Sequence, residues 1–234
     1  VTYIAPTAGV AAGLKQADGY TALVQPFAPF RAARRLSEAE RESARRRWNV
    51  EKDAVVLLLL GGWWRAKNSH VVLRAVASAE TPATLIVAGT PLDIPAMNRL
   101  RLRDDGRKIK AIDRPLNQRE LRELYALASA TIVSRRPGVL KESGLVLDAA
   151  NYGVPLLISD HDEHLNDQLR HEEWVRVFPS GDECALAEAI DGLRCNPVAR
   201  PDADAPLRLG LKCPTGLIDY FFEQAGANGL NDLR

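Results

Sequence analysis

The sequence predicts an α/β fold: a doubly wound parallel sheet covered by helices. Two observations carry this. Short apolar runs that stop at glycine or polar residues alternate with segments of helical spacing along most of the chain. The clearest run, Ala54–Leu60 (AVVLLLL), is unbroken by any polar residue, as a strand buried on both faces requires. Strands separated by helices close into one sheet through right-handed crossovers.

The elements follow in order. Tyr3–Gln16 reads as a strand edge and a helix, Thr21–Gln25 as a strand, and Pro26-Phe27-Ala28-Pro29 as a stiff, non-helical linker. Leu36–Trp48 is a charged helix that Ser37 can cap. After strand Ala54–Leu60 and Gly61-Gly62, Ser69–Ala79 places Val71, Val72, Ala75 and Val76 at helical spacing, with Asn68 or Ser69 to cap it. Ala83–Ala88 is a strand closed by Gly89, Leu92–Arg103 a helix with a basic outer face, and Ile109–Ile112 a short strand. Asn117–Ala128 carries a capping box, with Glu120 three residues beyond Asn117, and an apolar stripe of Leu121, Leu124, Tyr125 and Ala128. Ala130–Val133 is a strand and Ser143–Tyr152 a helix stopped by Gly153 and Pro155. Leu156–Ile158 is a strand, Glu163–Arg170 a short polar helix, Val175–Phe178 an edge strand, and Asp182–Leu193 a helix capped by Ser180 or Asp182. Asn196–Leu207 reads as a loop rich in Pro, Asp and Ala, and Gly216–Gln224 as a last short helix.

Composition narrows the function classes. The 234 residues suit one large domain or a domain with additions. At 46% hydrophobic and 26% charged, the chain is neither disordered nor fibrous. Lys plus Arg number 31 against 30 Asp plus Glu, a net charge of +1, so the basic excess of a general nucleic-acid binder is missing. A local phosphate site is still open. The longest apolar run falls far short of the about 20 residues of a transmembrane helix. Three cysteines, Cys184, Cys195 and Cys213, form no CxxC pair, and the odd count suits a reducing compartment, with the thiols inert. Val1–Val10 lacks the features of a signal peptide, and an opening Val in place of Met suggests a fragment or a processed product.

In an open α/β sheet, ligands bind beyond the carboxyl ends of the strands. Three of those ends have the features of an anion pocket. The first is Gly61-Gly62-Trp63-Trp64-Arg65-Ala66-Lys67-Asn68. Its glycines permit close backbone approach, and Arg65 and Lys67 supply a planar fork and a point charge for a diphosphate. A solvated basic turn is the alternative. Trp63 and Trp64 can pack under the loop, stack on a base or sugar, or meet a partner. The second is Ser134-Arg135-Arg136 through Ser143-Gly144-Leu145. The first-turn amides of Gly144 and Leu145 can bind phosphate oxygens with the helix dipole behind them, and Ser143 either adds a hydroxyl or simply caps. Glu142, just before that turn, would repel phosphate, which leaves it a sugar hydroxyl or Arg135. The third, Asp113-Arg114-Pro115, offers backbone groups to a base edge and Arg114 to stack on it, or is a surface turn. No Walker, GxGxxG, HExxH or GxSxG motif is present. His161 and His164 without a third ligand make a poor metal site, and no metal is expected.

Five segments in this order, from the strand–Gly61–Lys67-Asn68 unit through LIVAGTP, IKAIDRPLNQRELRELYALASATIVSRR and SGLVLDAANYGVPLLIS to VRVFPSGDECALAEAI, resemble the C-terminal, nucleotide-sugar-binding half of a family four-like glycosyltransferase of the GT-B fold. The resemblance runs from about Thr21 to Leu193. Gly61 and Lys67 keep the family spacing, but Gly62 stands where the family has arginine, with Arg65 to compensate. Of two family glutamates eight residues apart, Asp148 takes the second position and Leu140 the first; Glu142 shifts into that role, or the Ser143-Gly144 turn replaces it.

The resemblance implies a Rossmann-like domain over 31–195, the end of an N-terminal domain and a linker over 1–30, and a loop and helix packing back over 196–234. It implies a retaining sugar transferase with a nucleoside-diphosphate sugar, UDP- or GDP-linked, as donor and no cofactor. Lys67, with Arg65 or Arg135, and the Gly144 and Leu145 amides would stabilise the departing nucleoside diphosphate, and Lys67, Arg65 and Glu142 are the candidate catalytic residues. Donor contacts fall to Gly61, Gly62, Arg114, Ser134, Arg135, Ser143, Gly144, Leu145 and Asp148. The acceptor, a glycan, lipid or protein, would be bound by an N-terminal domain supplied in cis or in trans. The expected place is the cytoplasm, or the periphery of the inner membrane. Two other readings stand beside it: an interaction module that keeps the fold without sugar transfer, and another α/β enzyme of phosphorylated sugars or nucleotides.

Overall fold

The computed structural model describes residues 2–27, 30, 36–63, 66–101, 108–140 and 143–229. It opens with a parallel βαβ unit: β1 (Tyr3–Ala5), α1 (Ala8–Asp18) and β2 (Ala22–Val24). α2 (Glu38–Trp48) leads into the main sheet of β3 (Val55–Leu60), β4 (Ala83–Ala88), β5 (Lys108–Ile112), β6 (Ala130–Val133), β7 (Leu156–Ser159) and β8 (Val175–Phe178). Between them run α3 (Ser69–Ser78), α4 (Ile94–Arg101), α5 (Gln118–Leu127), α6 (Gly144–Tyr152) and α7 (Glu163–Leu169). α8 (Glu183–Cys195), α9 (Ala205–Arg208) and α10 (Pro214–Gly229) follow. All six strands are parallel, in the order β5-β4-β3-β6-β7-β8.

The apolar strands are continuous because helices cover both faces. Along β3 and β4, Leu57, Leu59, Leu85 and Val87 point to one side and meet Val72 and Val76 of α3 and Leu186 and Ile190 of α8. Val56, Leu58, Leu60 and Ile86 point to the other and meet Leu124 and Tyr125 of α5. Farther along the sheet, Val133, Leu156 and Ile158 pack with Val146 of α6, Trp174 and Leu209. Each fully buried leucine or isoleucine contributes about 1.5–3 kcal/mol relative to exposure. No polar residue fits in these runs without a partner.

Local signals set the helix starts. Ser37 and Glu40 close a capping box on α2, Asn117 and Glu120 one on α5, and Asp182 caps α8 through Ala185 N. Three expectations need correction. Neither Asn68 nor Ser69 caps α3 with its side chain, because the Asn68 amide is drawn to a neighbouring loop. Asn196–Leu207 is not all loop: Pro206 in the first turn lets a short α9 form. The last helix starts earlier and runs longer than Gly216–Gln224. Within it Phe221 meets Phe27 of the linker edge-on at 6.3 Å, and Gln25 Nε2 donates to Gly210 O at 2.9 Å, which ties the two ends of the chain together. Of the expected helix Leu92–Arg103, the last two residues lie outside the described ones.

The loops after β3 and β4 cross in backbone contact. A Cβ at Gly62 would sit 2.2 Å from Thr90 O, and one at Gly89, whose φ is +136°, 2.5 Å from the Gly61 carbonyl carbon. Loop-to-loop packing therefore requires glycine at 62 and 89, and at 89 the backbone conformation requires it as well. Gly62→Ala is expected to cost about 1–3 kcal/mol, read as a lower denaturant midpoint. An unchanged midpoint would show that the loops do not meet here.

Candidate functional site

The strand order reverses between β3 and β6, and the crevice above such a point is where open α/β sheets bind ligands. Two loops flank it. They pair like a short antiparallel ribbon, with Lys67 bridged to Arg135. Arg136 N donates to Ala66 O at 3.0 Å, Asn68 N to Ser134 O at 3.3 Å, and Asn68 Nδ2 to Arg135 O at 3.1 Å. The first and second anion-binding segments of the sequence therefore share one rim.

Lys67 folds back over its own loop. Its Nζ donates to Leu60 O at 3.0 Å, and a Cβ at Gly61 would lie 2.5 Å from that nitrogen. Gly61 thus makes room for the ammonium. Arg135 is buried beside it, and burial lowers the pKa of its guanidinium. Arg135 Nη2 reaches Ser143 Oγ at 3.4 Å. This answers the two uses left open for Ser143: its hydroxyl faces Arg135 and does not cap α6, whose Val146 N is taken by the Ser143 carbonyl at 2.9 Å. The Gly144 and Leu145 amides open the helix without partners among the described residues. A Cβ at Gly144 would meet nothing within 4 Å, so this end of α6 faces open space.

Ser159 and His161, the latter weighed in the sequence only as a poor metal ligand, complete the cluster. Ser159 Oγ accepts from Arg135 N at 2.9 Å, and His161 Nδ1 lies 2.8 Å from Ser159 O and 3.0 Å from Ser159 Oγ. Burial first, and then the Arg135 charge, lowers the pKa of His161 against the pull of its backbone bond and nearby carboxylates. Ser134 Oγ, Arg135 Nε and His161 Nε2 are buried with no hydrogen-bond partner among the described residues. Buried polar atoms are nearly always satisfied, so three of them around one rim mark a place built for a polar group. The only signal in the sequence was the polar run Ser159-Asp160-His161 where β7 ends.

One turn beyond Gly144, Asp148 accepts from Tyr125 Oη at 3.3 Å, and burial pushes its carboxyl up to about 6. Tyr125 in turn stacks on Tyr152 with ring centroids 4.6 Å apart. Arg114 is engaged elsewhere: it forms a two-pronged pair with Glu120 at 2.9 and 2.7 Å, which holds that carboxyl down to about 2. It brings no cation to the Lys67–Arg135 rim. Leu140 is partly exposed. Arg65, Trp64 and Glu142 lie outside the described residues. Among the described residues, no group of three or more His, Cys, Asp or Glu side chains could hold a metal, and no helix is long and apolar enough to cross a membrane.

Comparison with known proteins places this architecture. Residues 54–196 match the family model described as glycosyl transferases group 1. No curated protein matches. Among solved structures, Anabaena HepE in complex with UDP and glucose superposes with a TM-score of 0.76 at 14% identity, over 96% of this chain and 62% of that one. Sucrose-phosphate synthase from Thermosynechococcus elongatus gives 0.75 at 18% identity, over 96% and 58%. A glycosyltransferase from Rickettsia africae gives 0.73 at 14%, over 94% and 62%. The chain therefore spans about three-fifths of the length of these neighbours. The likeness establishes the Rossmann-like fold of GT-B glycosyltransferases. The matched segment covers more than half of the sequence and includes both loops of the rim, and the chain belongs to the group 1 glycosyltransferases.

Proposed function

We propose that the chain is the donor-binding half of a glycosyltransferase that moves a sugar from a nucleoside-diphosphate sugar to an acceptor. The observation that carries this is the bridge from Lys67 to Arg135, with Arg135 reaching Ser143 at the foot of α6. It joins an ammonium, a guanidinium and two open first-turn amides at one topological switch point. Such a group favours charge building on a departing diphosphate. On this reading Asp148, one turn into α6, accepts from a donor hydroxyl. The uridine nucleotides in the Anabaena HepE structures support UDP as the first donor base to test, ahead of GDP.

On this reading residues 1–30 end an acceptor-binding domain and lead through a linker into the donor domain of 31–195, with 196–234 packing back. The other half, in cis or in trans, presents the acceptor, a glycan, lipid or protein. Holding both reactants in position supplies much of the rate in such transfers. This half alone binds donor and turns over poorly. Cytoplasm, or the inner face of a membrane reached peripherally, is the compartment that fits three unpaired cysteines.

A thermal-shift screen with UDP, GDP and their sugars tests the reading. One nucleoside diphosphate at about a hundred times its Kd is expected to raise Tm by roughly 5–10 °C. No response to any of them at millimolar concentration would overturn it.

A further inference from the structure

Ser134 Oγ, Arg135 Nε and His161 Nε2 are buried at the crevice and have no partner among the described residues. Arg135 is 6% exposed and His161 3%, so bulk water does not satisfy them. One side chain holds both. Ser159 Oγ accepts from Arg135 N at 2.9 Å and lies 3.0 Å from His161 Nδ1. The parallel register of β6 and β7 sets Val133 beside Ile158, so the residues just past these two strands emerge at the same end of the sheet. Arg135 and His161 therefore leave neighbouring strand ends, and the ring feels the guanidinium charge.

The surroundings fix what each atom can do. Nδ1 of His161 lies 2.8 Å from Ser159 O, a carbonyl oxygen that only accepts, so Nδ1 carries the hydrogen. Burial, and after it the Arg135 charge, lowers the pKa of the ring and keeps it neutral near neutral pH. A neutral imidazole with its hydrogen on Nδ1 has a bare lone pair on Nε2, which accepts. Arg135 Nε carries a hydrogen and only donates, while Nη2 of the same group reaches Ser143 Oγ at 3.4 Å. The place thus lacks both a donor and an acceptor. A phosphate oxygen would serve the guanidinium but has no hydrogen for the imidazole. A cation would serve the imidazole but meet the guanidinium charge. A hydroxyl serves both: its oxygen accepts from Arg135 and its hydrogen goes to His161.

We infer that His161 reads the donor sugar: its Nε2 accepts from one sugar hydroxyl, and Arg135 Nε donates to the oxygen of that same hydroxyl. The inference rests on the donor reading and divides its site. Lys67 and the Gly144 and Leu145 amides meet the diphosphate, the His161 end meets the sugar, and Arg135 serves both. A sugar that lacks this hydroxyl, or turns it away, leaves a buried donor and a buried acceptor unpaired. Polar sites discriminate most sharply in that way, because the unpaired groups keep their full desolvation cost.

The test is calorimetric titration of UDP and of UDP-glucose into the full chain and into His161→Phe and His161→Gln. The readout is the ratio of UDP-glucose to UDP affinity, which a merely structural change leaves alone because it acts on both ligands. His161→Phe keeps a ring without an acceptor and should lower the ratio by about tenfold or more. His161→Gln keeps an acceptor oxygen and should hold the ratio within about threefold of the parent. Among UDP-glucose analogues that each lack one hydroxyl, one should bind the parent about tenfold more weakly. Imidazole ¹⁵N resonances of the parent, assigned by the one missing in His161→Gln, decide the matter even if His161→Phe does not fold: UDP-glucose should shift Nε2 of His161, and UDP should not. An unchanged ratio in His161→Phe, an equal loss in both variants, no weakened analogue, or an Nε2 resonance that UDP-glucose leaves in place overturns the inference and leaves a buried water between Arg135 and His161. UDP binding alongside any of these results keeps the donor reading; failure of UDP to bind overturns both.

Discussion

Lys67→Ala is expected to weaken nucleoside-diphosphate binding by roughly 10–100-fold, the loss of a hydrogen bond to a charged group. The ammonium sits at the centre of the rim, between the Leu60 carbonyl and the strand pairing with Arg135. Lys67→Arg should not restore binding. A Cβ on Gly61 would already lie 2.5 Å from Nζ, so a bulkier, planar guanidinium cannot occupy the same place without moving the loop. Isothermal titration with UDP reads both variants, and far-UV circular dichroism confirms that each is folded. Wild-type affinity in Lys67→Ala would remove the ammonium from the donor pocket and leave the α6 amides and Arg135 to hold it alone.

The sheet was legible because its physics is local. Ala54–Leu60 and Ala83–Ala88 are apolar at every position except Thr84, and only a strand covered on both faces tolerates that. Helix starts were legible where a side chain meets a backbone three residues on, as at Ser37, Asn117 and Asp182. The site was legible only as separate parts. Sequence order placed Lys67 and Arg135 at strand ends, but their pairing depends on which strands are neighbours: the sheet sets Leu57 of β3 beside Ala130 of β6, 73 positions away in the chain. Side-chain competition was not legible either. Asn68 could cap α3 or reach another loop, and Arg114 could meet a base or Glu120; the tertiary geometry decides each. Ser159 and His161 carry no spacing signature of their own, and matter because the buried Arg135 backbone lies beside them.

Asp148→Asn is expected to stabilise the protein near neutral pH while weakening its grip on the donor. Burial raises the Asp148 carboxyl to about 6 from an ordinary 3.8, so the folded state holds the proton more tightly than the unfolded chain does. Stability then falls as pH rises from about 4 to about 6, and above that the ionised carboxylate costs up to about 3 kcal/mol. An asparagine keeps an oxygen for the Tyr125 hydroxyl and never ionises. Urea unfolding should therefore give the variant a gain approaching that figure at pH 7.5 and little gain at pH 4. The same pH dependence in both proteins would mean that another group carries it. Binding moves the other way. A donor hydroxyl stabilises the charged carboxylate, so UDP-sugar affinity in the parent should rise with pH through about 6, and this rise should be missing in Asp148→Asn. On the proposed function, a donor hydroxyl that needs the charge is the reason to keep this destabilising acid one turn into α6. The pair of opposed changes, in stability and in affinity, separates that use from a merely tolerated core carboxylate.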